Sequence, residues 1–346
     1  MPNYEMPTTD DRSIWDVWLS MNYLPAVTAA DEMQIFASLD HAPATPRELA
    51  NRLDYDYRTT IAVMRLLGSL GFLAVREGVY RLTDQARLYL LRDSPFYWGH
   101  MLGNRTPLHD RLRDQLMGRS PAGRPGAGEQ ASTGDGRSSG AWASGQIDME
   151  GARRVARSMQ SHSLAAAIGF ARNSGLEDVQ RFLDVGGGSG CFAIALAQQL
   201  PSIQATIMEL PAMCEVAQEY IRDGGVAGRV DTVAVDMFRE PWPAGYDAIF
   251  FSNVFHDWNF ETCAWLARQS FEVMPVGGRI CLHEMLLDDD GAGPATAASF
   301  SMLMLGTQGQ QFTFAELRQL LEDAGFVDVA AKHTSVYYSL VTGRKT

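Results

Sequence analysis

Phe182-Leu183-Asp184-Val185-Gly186-Gly187-Gly188-Ser189-Gly190-Cys191-Phe192-Ala193 decides the fold of this chain. Arg181 to Val185 is a short apolar run of the kind that forms a buried strand. Glycines at 186, 188 and 190 break it, and Cys191 to Ala197 resumes as a helix-forming run. Strand, glycine turn and helix open a nucleotide-type βαβ unit, in which bare backbone lets a ligand approach the helix N-terminus. A glycine turn alone also suits an ordinary strand-to-helix connection, so the residues downstream have to separate the two. The spacing is GxGxG rather than GxGxxG, and no Lys-Ser/Thr comes after it, which disfavours a P-loop or a pyrophosphate-gripping dinucleotide site.

Downstream, apolar strands alternate with amphipathic helices: Ala205 to Met208, Val230 to Ala234, Tyr246 to Phe251 and Arg279 to His283, then a closing pair at Val327 to Ala330 and Tyr337 to Thr342. That alternation predicts a mainly parallel, doubly wound sheet, with the ligand outside the carboxyl ends of its strands. Three acids fall there. Asp184 lies near the end of the first strand. Glu209 ends the second, about 20 residues past the glycines, where a ribose diol is usually held. Asp236-Met237-Phe238 comes after the third and suits an adenine, with amide-edge contacts and apolar faces. Ser252-Asn253-Val254-Phe255-His256-Asp257-Trp258 comes after the fourth strand, and a histidine there can take a proton from a substrate hydroxyl near neutral pH. Glu284 ends the fifth strand, well placed to fix the His256 tautomer. His256, Asp257 and His283 could be read as a metal site, but adjacent residues on one chain point poorly together, so none is expected.

The N-terminal part reads differently. Apolar residues recur at helical spacing from Ile14 to Phe36, including Trp15 and Trp18, and an aromatic face this early suits a partner subunit. Thr45, Pro46 and Glu48 form a capping box ahead of one helix; a second spans Arg58 to Leu70 and stops at Gly71. Phe72 to Val75 and Val79 to Thr83 read as a hairpin around Glu77-Gly78. Helix, helix, hairpin is a winged-helix pattern, open to DNA binding or to a dimerising scaffold that closes over a substrate. The second helix carries only Arg58 and Arg65 as cations, poor equipment for a DNA reader. Residues 95–114 mix aromatics with polar tips, as half-buried helix surface or as a pocket wall in which Trp98 and Met101 line and Arg105 or His109 meets a carboxylate. From Gly118 to Gly145 glycine, serine, proline and alanine dominate, too little to build a core, as a passive insertion or a conditional lid. Met149 to Asn173 is helical again.

Composition sets outer bounds. The chain has 346 residues, 46% of them hydrophobic and 20% charged, with a formal net charge of −12. That acidity argues against nucleic acid or an anionic membrane as the main partner. No run approaches the ~18 apolar residues of a membrane span. Cys191, Cys214, Cys263 and Cys281 are scattered without a CxxC pair, which suits a reducing cytoplasm and no metal.

Leu183-Asp184-Val185-Gly186-Gly187-Gly188-Ser189-Gly190, Glu209-Leu210-Pro211, Asp236-Met237-Phe238, His256-Asp257-Trp258 and Thr313-Phe314-Ala315-Glu316-Leu317 together resemble the S-adenosyl-L-methionine-dependent small-molecule O-methyltransferases of the plant caffeic-acid and bacterial natural-product type. The resemblance implies an α/β architecture: a Rossmann-like doubly wound methyltransferase domain at 148–346 and a winged-helix, otherwise all-α dimerisation domain at 1–115, with only the flexible Gly/Ser-rich insertion at 116–147 outside the match. It implies a homodimer with a small aromatic substrate. It places Asp184 and Gly186 by the methionine part of the cofactor, Glu209 by the ribose and Asp236 with Met237 by the adenine. Gly188, Leu210, Phe238, Ser252, Met159 and Ser163 complete that set. His256 matches the family's general base and Glu284 one of the two acids holding it. The second acid is replaced: Gly309-Gln310-Gln311 puts Gln311 where the family has glutamate, which keeps a hydrogen bond but no charge. Trp98, Met101, Arg105, Asp257, Met302 and Gly306 are the expected substrate wall. Deprotonating a phenol also activates its ortho carbon, so ring C-methylation stays open beside O-methylation, and a non-catalytic winged-helix regulator remains the distant alternative.

Overall fold

A computed structural model describes residues 7–94, 97–102, 107–119, 142, 144–291 and 293–346, without the side chains of His100, Met101 and Ser161. Two compact units emerge. One comprises Met1–Asp11, Glu129–Met285 and Phe314–Thr346; the other, Arg12–Gly128 and Leu286–Thr313. Residues 286–313 therefore join the N-terminal helices rather than the C-terminal domain expected at 148–346, and the 116–147 insertion lies mostly outside the described residues.

In the helical unit, α1 (Arg12–Leu19), α2 (Tyr23–Glu32), α3 (Ile35–His41), α4 (Pro46–Leu53) and α5 (Tyr57–Ser69) precede a hairpin of β1 (Leu73–Arg76) and β2 (Val79–Leu82). The capping box at α4 forms as its sequence predicts: the Glu48 amide donates to Thr45 Oγ1 at 3.3 Å and the Thr45 amide to Glu48 Oε2 at 2.8 Å. The helices α6 (Asp84–Leu90), α7 (Gly99–Leu102) and α8 (Pro107–Leu116) come next. On α5, Arg65 is 7% exposed, and the Arg58 guanidinium donates to the carbonyls of Met304, Leu305 and Gly309. Both cations of α5 are thus engaged inside the unit.

The reason for the unexpected membership of residues 286–313 is visible in their sequence. Thr296-Ala297-Ala298-Ser299-Phe300-Ser301-Met302 is buried on every side, so its helix (Ala295–Met304) needs a surrounding sleeve. The early aromatics supply it: the Trp15 and Trp18 rings sit 6.0 and 6.2 Å from Phe300. Asn22 Nδ2 donates to Ser299 Oγ at 3.0 Å, and Thr296 Oγ1 to Asp16 at 2.6 Å.

The other unit is the α/β domain. It begins with the 25-residue helix α9 (Met149–Asn173) and carries β3 (Arg181–Val185), β4 (Gln204–Glu209), β5 (Val230–Ala234), β6 (Ala248–Ser252), β7 (Arg279–Met285), β8 (Val327–Ser335) and β9 (Tyr338–Arg344). The sheet order is β5-β4-β3-β6-β7-β9-β8. The first five strands are parallel, and the β8–β9 pair closes the sheet antiparallel. Because β4 lies on one side of β3 and β6 on the other, the strand order reverses at β3, and the crevice beyond its carboxyl end is the expected ligand site.

A layer of aromatic rings anchors that crevice. Phe170 of α9 lies 4.6 Å from Phe250 and 5.9 Å from Phe192, and Phe182 lies 5.2 Å from Phe250. His283 stacks flat on Tyr338 at 4.9 Å, with Nε2 at 2.8 Å from the Thr334 hydroxyl and Nδ1 at 3.2 Å from that of Ser252. Burial pushes its pKa down to about 3, so this imidazole is neutral and structural.

Candidate active site

Strand β3 ends at Val185, and Gly186, Gly188 and Gly190 all adopt positive φ (67°, 58° and 77°), which turns the chain into helix α10 (Cys191–Gln199). A side chain would be strained at each, and at Gly190 it would also collide with Ile207. One cavity opens over this turn. Its lining includes Met159, Ser163, Asp184, Gly186, Glu209, Met237, Ser252, His256, Asp257 and Trp258. A contiguous crevice is lined by Glu209, Leu210, Asp236, Met237 and Phe238. Gly188 faces Glu209, donating its amide to Oε1 at 3.3 Å. Of the residues singled out in the sequence for a cofactor, Met159 and Ser163 come from α9 and the others lie at or just beyond the carboxyl ends of β3 to β6.

The charges lining the cavity bear on the ligands it suits. Asp184 is 1% exposed, and its Oδ2 accepts no hydrogen bond among the described residues. Burial raises its pKa to about 7, opposed by the Ala193 amide and assisted by the Glu209 charge. Glu209 is raised as well, chiefly by burial, although the amides of Leu210 and Gly188 and the Trp142 indole donate to it. Among the described residues, three carboxylates and no lysine or arginine line the main cavity. Such walls reject a phosphate and suit a ligand with a cationic end, a neutral diol and an apolar base. S-adenosyl-L-methionine has that distribution of charge and apolar surface.

His256 sits in a single 3-10 turn, Phe255–Asp257, just beyond β6. It is 1% exposed, and its Nδ1 lies 2.9 Å from Oε2 of the fully buried Glu284 at the end of β7. The two side chains are at ion-pair distance. Glu284 favours the Nδ1–H tautomer, which leaves the lone pair on Nε2. Asp257 Oδ1 is 3.9 Å from Nε2, too far for a hydrogen bond. Parallel pairing of β6 with β7 brings the two residues together, since Ser252 lies opposite His283.

The remaining expectations fall in the helical unit. Met302 is 9% exposed on the helix Ala295–Met304, Gly306 lies just beyond it, and Gln311 is fully buried with its amide donating to Ser301 Oγ at 3.0 Å. Trp98 is 54% exposed. Met101 lies in α7 without a described side chain, and Arg105 lies outside the described residues. His109 is not available to a substrate carboxylate. Its ring nitrogens are taken by the Thr28 hydroxyl and Glu32, both at 2.7 Å, because α8 packs on α2 and buries the ring. Among the described residues no group of three or more metal-ligating side chains occurs. Sequence reading missed Trp142 and Asn253. Trp142 ends a low-complexity stretch without periodicity, and Asn253 is marked only by its positive φ of 55°.

A glycine turn, strand-end carboxylates and a carboxylate-held histidine meet at one cavity, an arrangement that suits an adenosyl cofactor. Residues 129–327 match the O-methyltransferase domain and residues 15–92 the O-methyltransferase dimerisation domain. The chain belongs to the O-methyltransferase family and is an S-adenosyl-L-methionine-dependent methyltransferase. It is 34% identical over 308 residues to 3-hydroxy-5-methyl-1-naphthoate 3-O-methyltransferase of Streptomyces sahachiroi, spanning 88% of this chain and 86% of that one. A 154-residue segment, 44% of this chain and 42% of the relative, is 31% identical to L-tyrosine C(3)-methyltransferase of Streptomyces lavendulae. Among solved structures, an O-methyltransferase family 2 protein from Planctomyces limnophilus in complex with apigenin superimposes over the full length of both chains, with a TM-score of 0.85 and 26% identity.

Proposed function

We propose that this enzyme methylates a phenolic hydroxyl of a small aromatic natural-product intermediate, with His256 as the general base. The observation that carries the proposal is that His256, with its Nδ1 2.9 Å from buried Glu284, lines the same cavity as Asp184 and Glu209. Bound cofactor supplies an already electrophilic methyl group, so the protein's tasks are alignment and removal of one proton. Asp184 and Gly186 hold the methionine end, Glu209 the ribose, and Asp236, Met237 and Phe238 the adenine. Gly188, Leu210, Ser252, Met159 and Ser163 shape the rest of that subsite. His256 Nε2 accepts the acceptor's hydroxyl proton while Glu284 keeps the ring oriented. Gln311 stands where the family resemblance expects the second residue that orients the base, and Trp98, Met101, Arg105, Asp257, Met302 and Gly306 are the expected acceptor wall. The hydroxylated naphthoate acted on by the Streptomyces sahachiroi relative supports an aromatic acceptor.

The test is His256→Ala. Turnover of a phenolic acceptor should fall about 10²- to 10⁴-fold, the usual worth of a general base, with affinity for S-adenosyl-L-homocysteine within about twofold of wild type. Full activity would sink the base assignment. Ring C-methylation is the second reading, favoured by Gln311 in place of a family glutamate and by the tyrosine C-methyltransferase relative. Product NMR separates an O-methyl from a C-methyl.

The helical unit supports a homodimer. Ile14 and Val17 of α1, Met21 in the 3-10 turn after it and Leu24 of α2 form a stripe of exposed apolar side chains, 71%, 73%, 37% and 40% exposed, and residues 15–92 match the family's dimerisation domain. A second copy is the partner such a stripe requires. No helix among the described residues is long and apolar enough to cross a membrane, and all four cysteines are buried and unpaired, which suits a cytoplasmic setting.

A further inference from the structure

The Glu209 carboxylate, the proposed ribose anchor, already has a tenant. Trp142 Nε1 lies 3.2 Å from Oε1 and 3.1 Å from Oε2, donating into the notch between the two oxygens. The Trp142 ring packs against a small apolar cluster of Ala152, Ala156, Met213 and Val216. Three residues on, Gly145 donates its amide to the Trp142 carbonyl and turns with φ +71°. A Cβ at Gly145 would sit 2.6 Å from Asp236 Oδ2. The turn therefore lies over both carboxylates of the adenosine subsite, on Glu209 through an indole N–H and on Asp236 through bare backbone.

A vicinal diol binds a carboxylate by donating one hydroxyl to each oxygen. A single N–H shared by both oxygens fills that notch, so indole and diol are mutually exclusive there. Glu209 is 3% exposed, and without the indole its buried charge would rest on the two backbone amides alone. We infer that Trp142 is a self-ligand of the adenosine subsite: its indole N–H stands in for the ribose diol on Glu209, and the cofactor displaces it on binding. The inference rests on the assignment of Glu209 to the ribose. Its consequence is a reduced apparent cofactor affinity, since only the fraction of protein with Trp142 released can bind.

The experiment uses the full chain labelled with 5-fluorotryptophan and S-adenosyl-L-homocysteine as the probe. Of the seven tryptophans, the resonance missing from Trp142→Phe identifies position 142, and Trp142→Tyr provides the same assignment independently. That resonance should shift saturably with the probe, and by calorimetry Trp142→Phe should bind the probe about 2- to 12-fold more tightly than wild type, the worth of one net hydrogen bond. An unmoved resonance, or weaker binding by Trp142→Phe, overturns the inference and makes the indole a fixed wall. Glu209→Ala separates the two assignments. Loss of probe binding in that variant supports the ribose role, whereas wild-type affinity removes that role and the Trp142 inference with it.

Discussion

Asp184→Asn probes the most unusual charge in the site. The carboxyl is buried at the end of β3 and lacks a partner on Oδ2 among the described residues, and burial carries its pKa from an ordinary 3.8 to about 7. Between those values the folded chain keeps a proton that the unfolded chain has released, so folding stability falls as pH rises. Each pH unit in that window is worth about 1.36 kcal/mol, so cofactor-free wild type should lose about 2.7 kcal/mol between pH 5 and pH 7 through this group, then level off. The asparagine variant has no such proton. Its stability relative to wild type should therefore rise by about 2.7 kcal/mol over the same interval, and effects common to both proteins cancel in the difference. Urea denaturation at pH 5, 6, 7 and 8 measures it. A wild-type-to-variant difference independent of pH would refute the reasoning. The ligand supplies a second readout. An ammonium against Asp184 favours the carboxylate, so S-adenosyl-L-homocysteine affinity should strengthen by up to ~10-fold per unit from pH 5 to 7, with proton release, and the variant should show neither.

The packing sets three further expectations. His283, held neutral with a pKa of about 3 against an ordinary 6.5, gains its proton only in the unfolded chain when the pH falls between those values. Acidification from pH 6 to 4 should then cost about 2.7 kcal/mol through this residue, and His283→Asn should lose that slope in denaturation titrations. Arg58→Met strands the carbonyls of Met304, Leu305 and Gly309 and should cost about 2–3 kcal/mol in urea denaturation. Arg58→Lys should recover less than half, because one ammonium cannot span three carbonyls. Val17→Asp places a charge on the exposed apolar stripe and should convert the dimer to monomer in light scattering with unchanged S-adenosyl-L-homocysteine affinity; a dimer that persists would move the interface elsewhere.

The sequence by itself determined what depends on near neighbours along the chain. The glycine turn, the capping box at Thr45 and Glu48, the hairpin at Glu77-Gly78 and the α9 helix over Met149–Asn173 all formed where local spacing placed them, because caps, positive φ and hydrophobic period act within a few residues. The strand-end acids and His256 were legible for a related reason: parallel strands repeat one geometry, so each strand end marks the same side of the sheet. Strand ends were less well defined, and β8 runs to Ser335 rather than Ala330. Only the tertiary structure decided the rest. Residues 286–313 belong with the N-terminal helices, because a helix buried on all sides takes whichever partners enclose it. His109 is sequestered by Thr28 and Glu32, residues about 80 positions away. Trp142 reaches Glu209 across 67 positions from a stretch with no pattern to read. Contacts of that kind are set by packing between distant segments, and no local period encodes them.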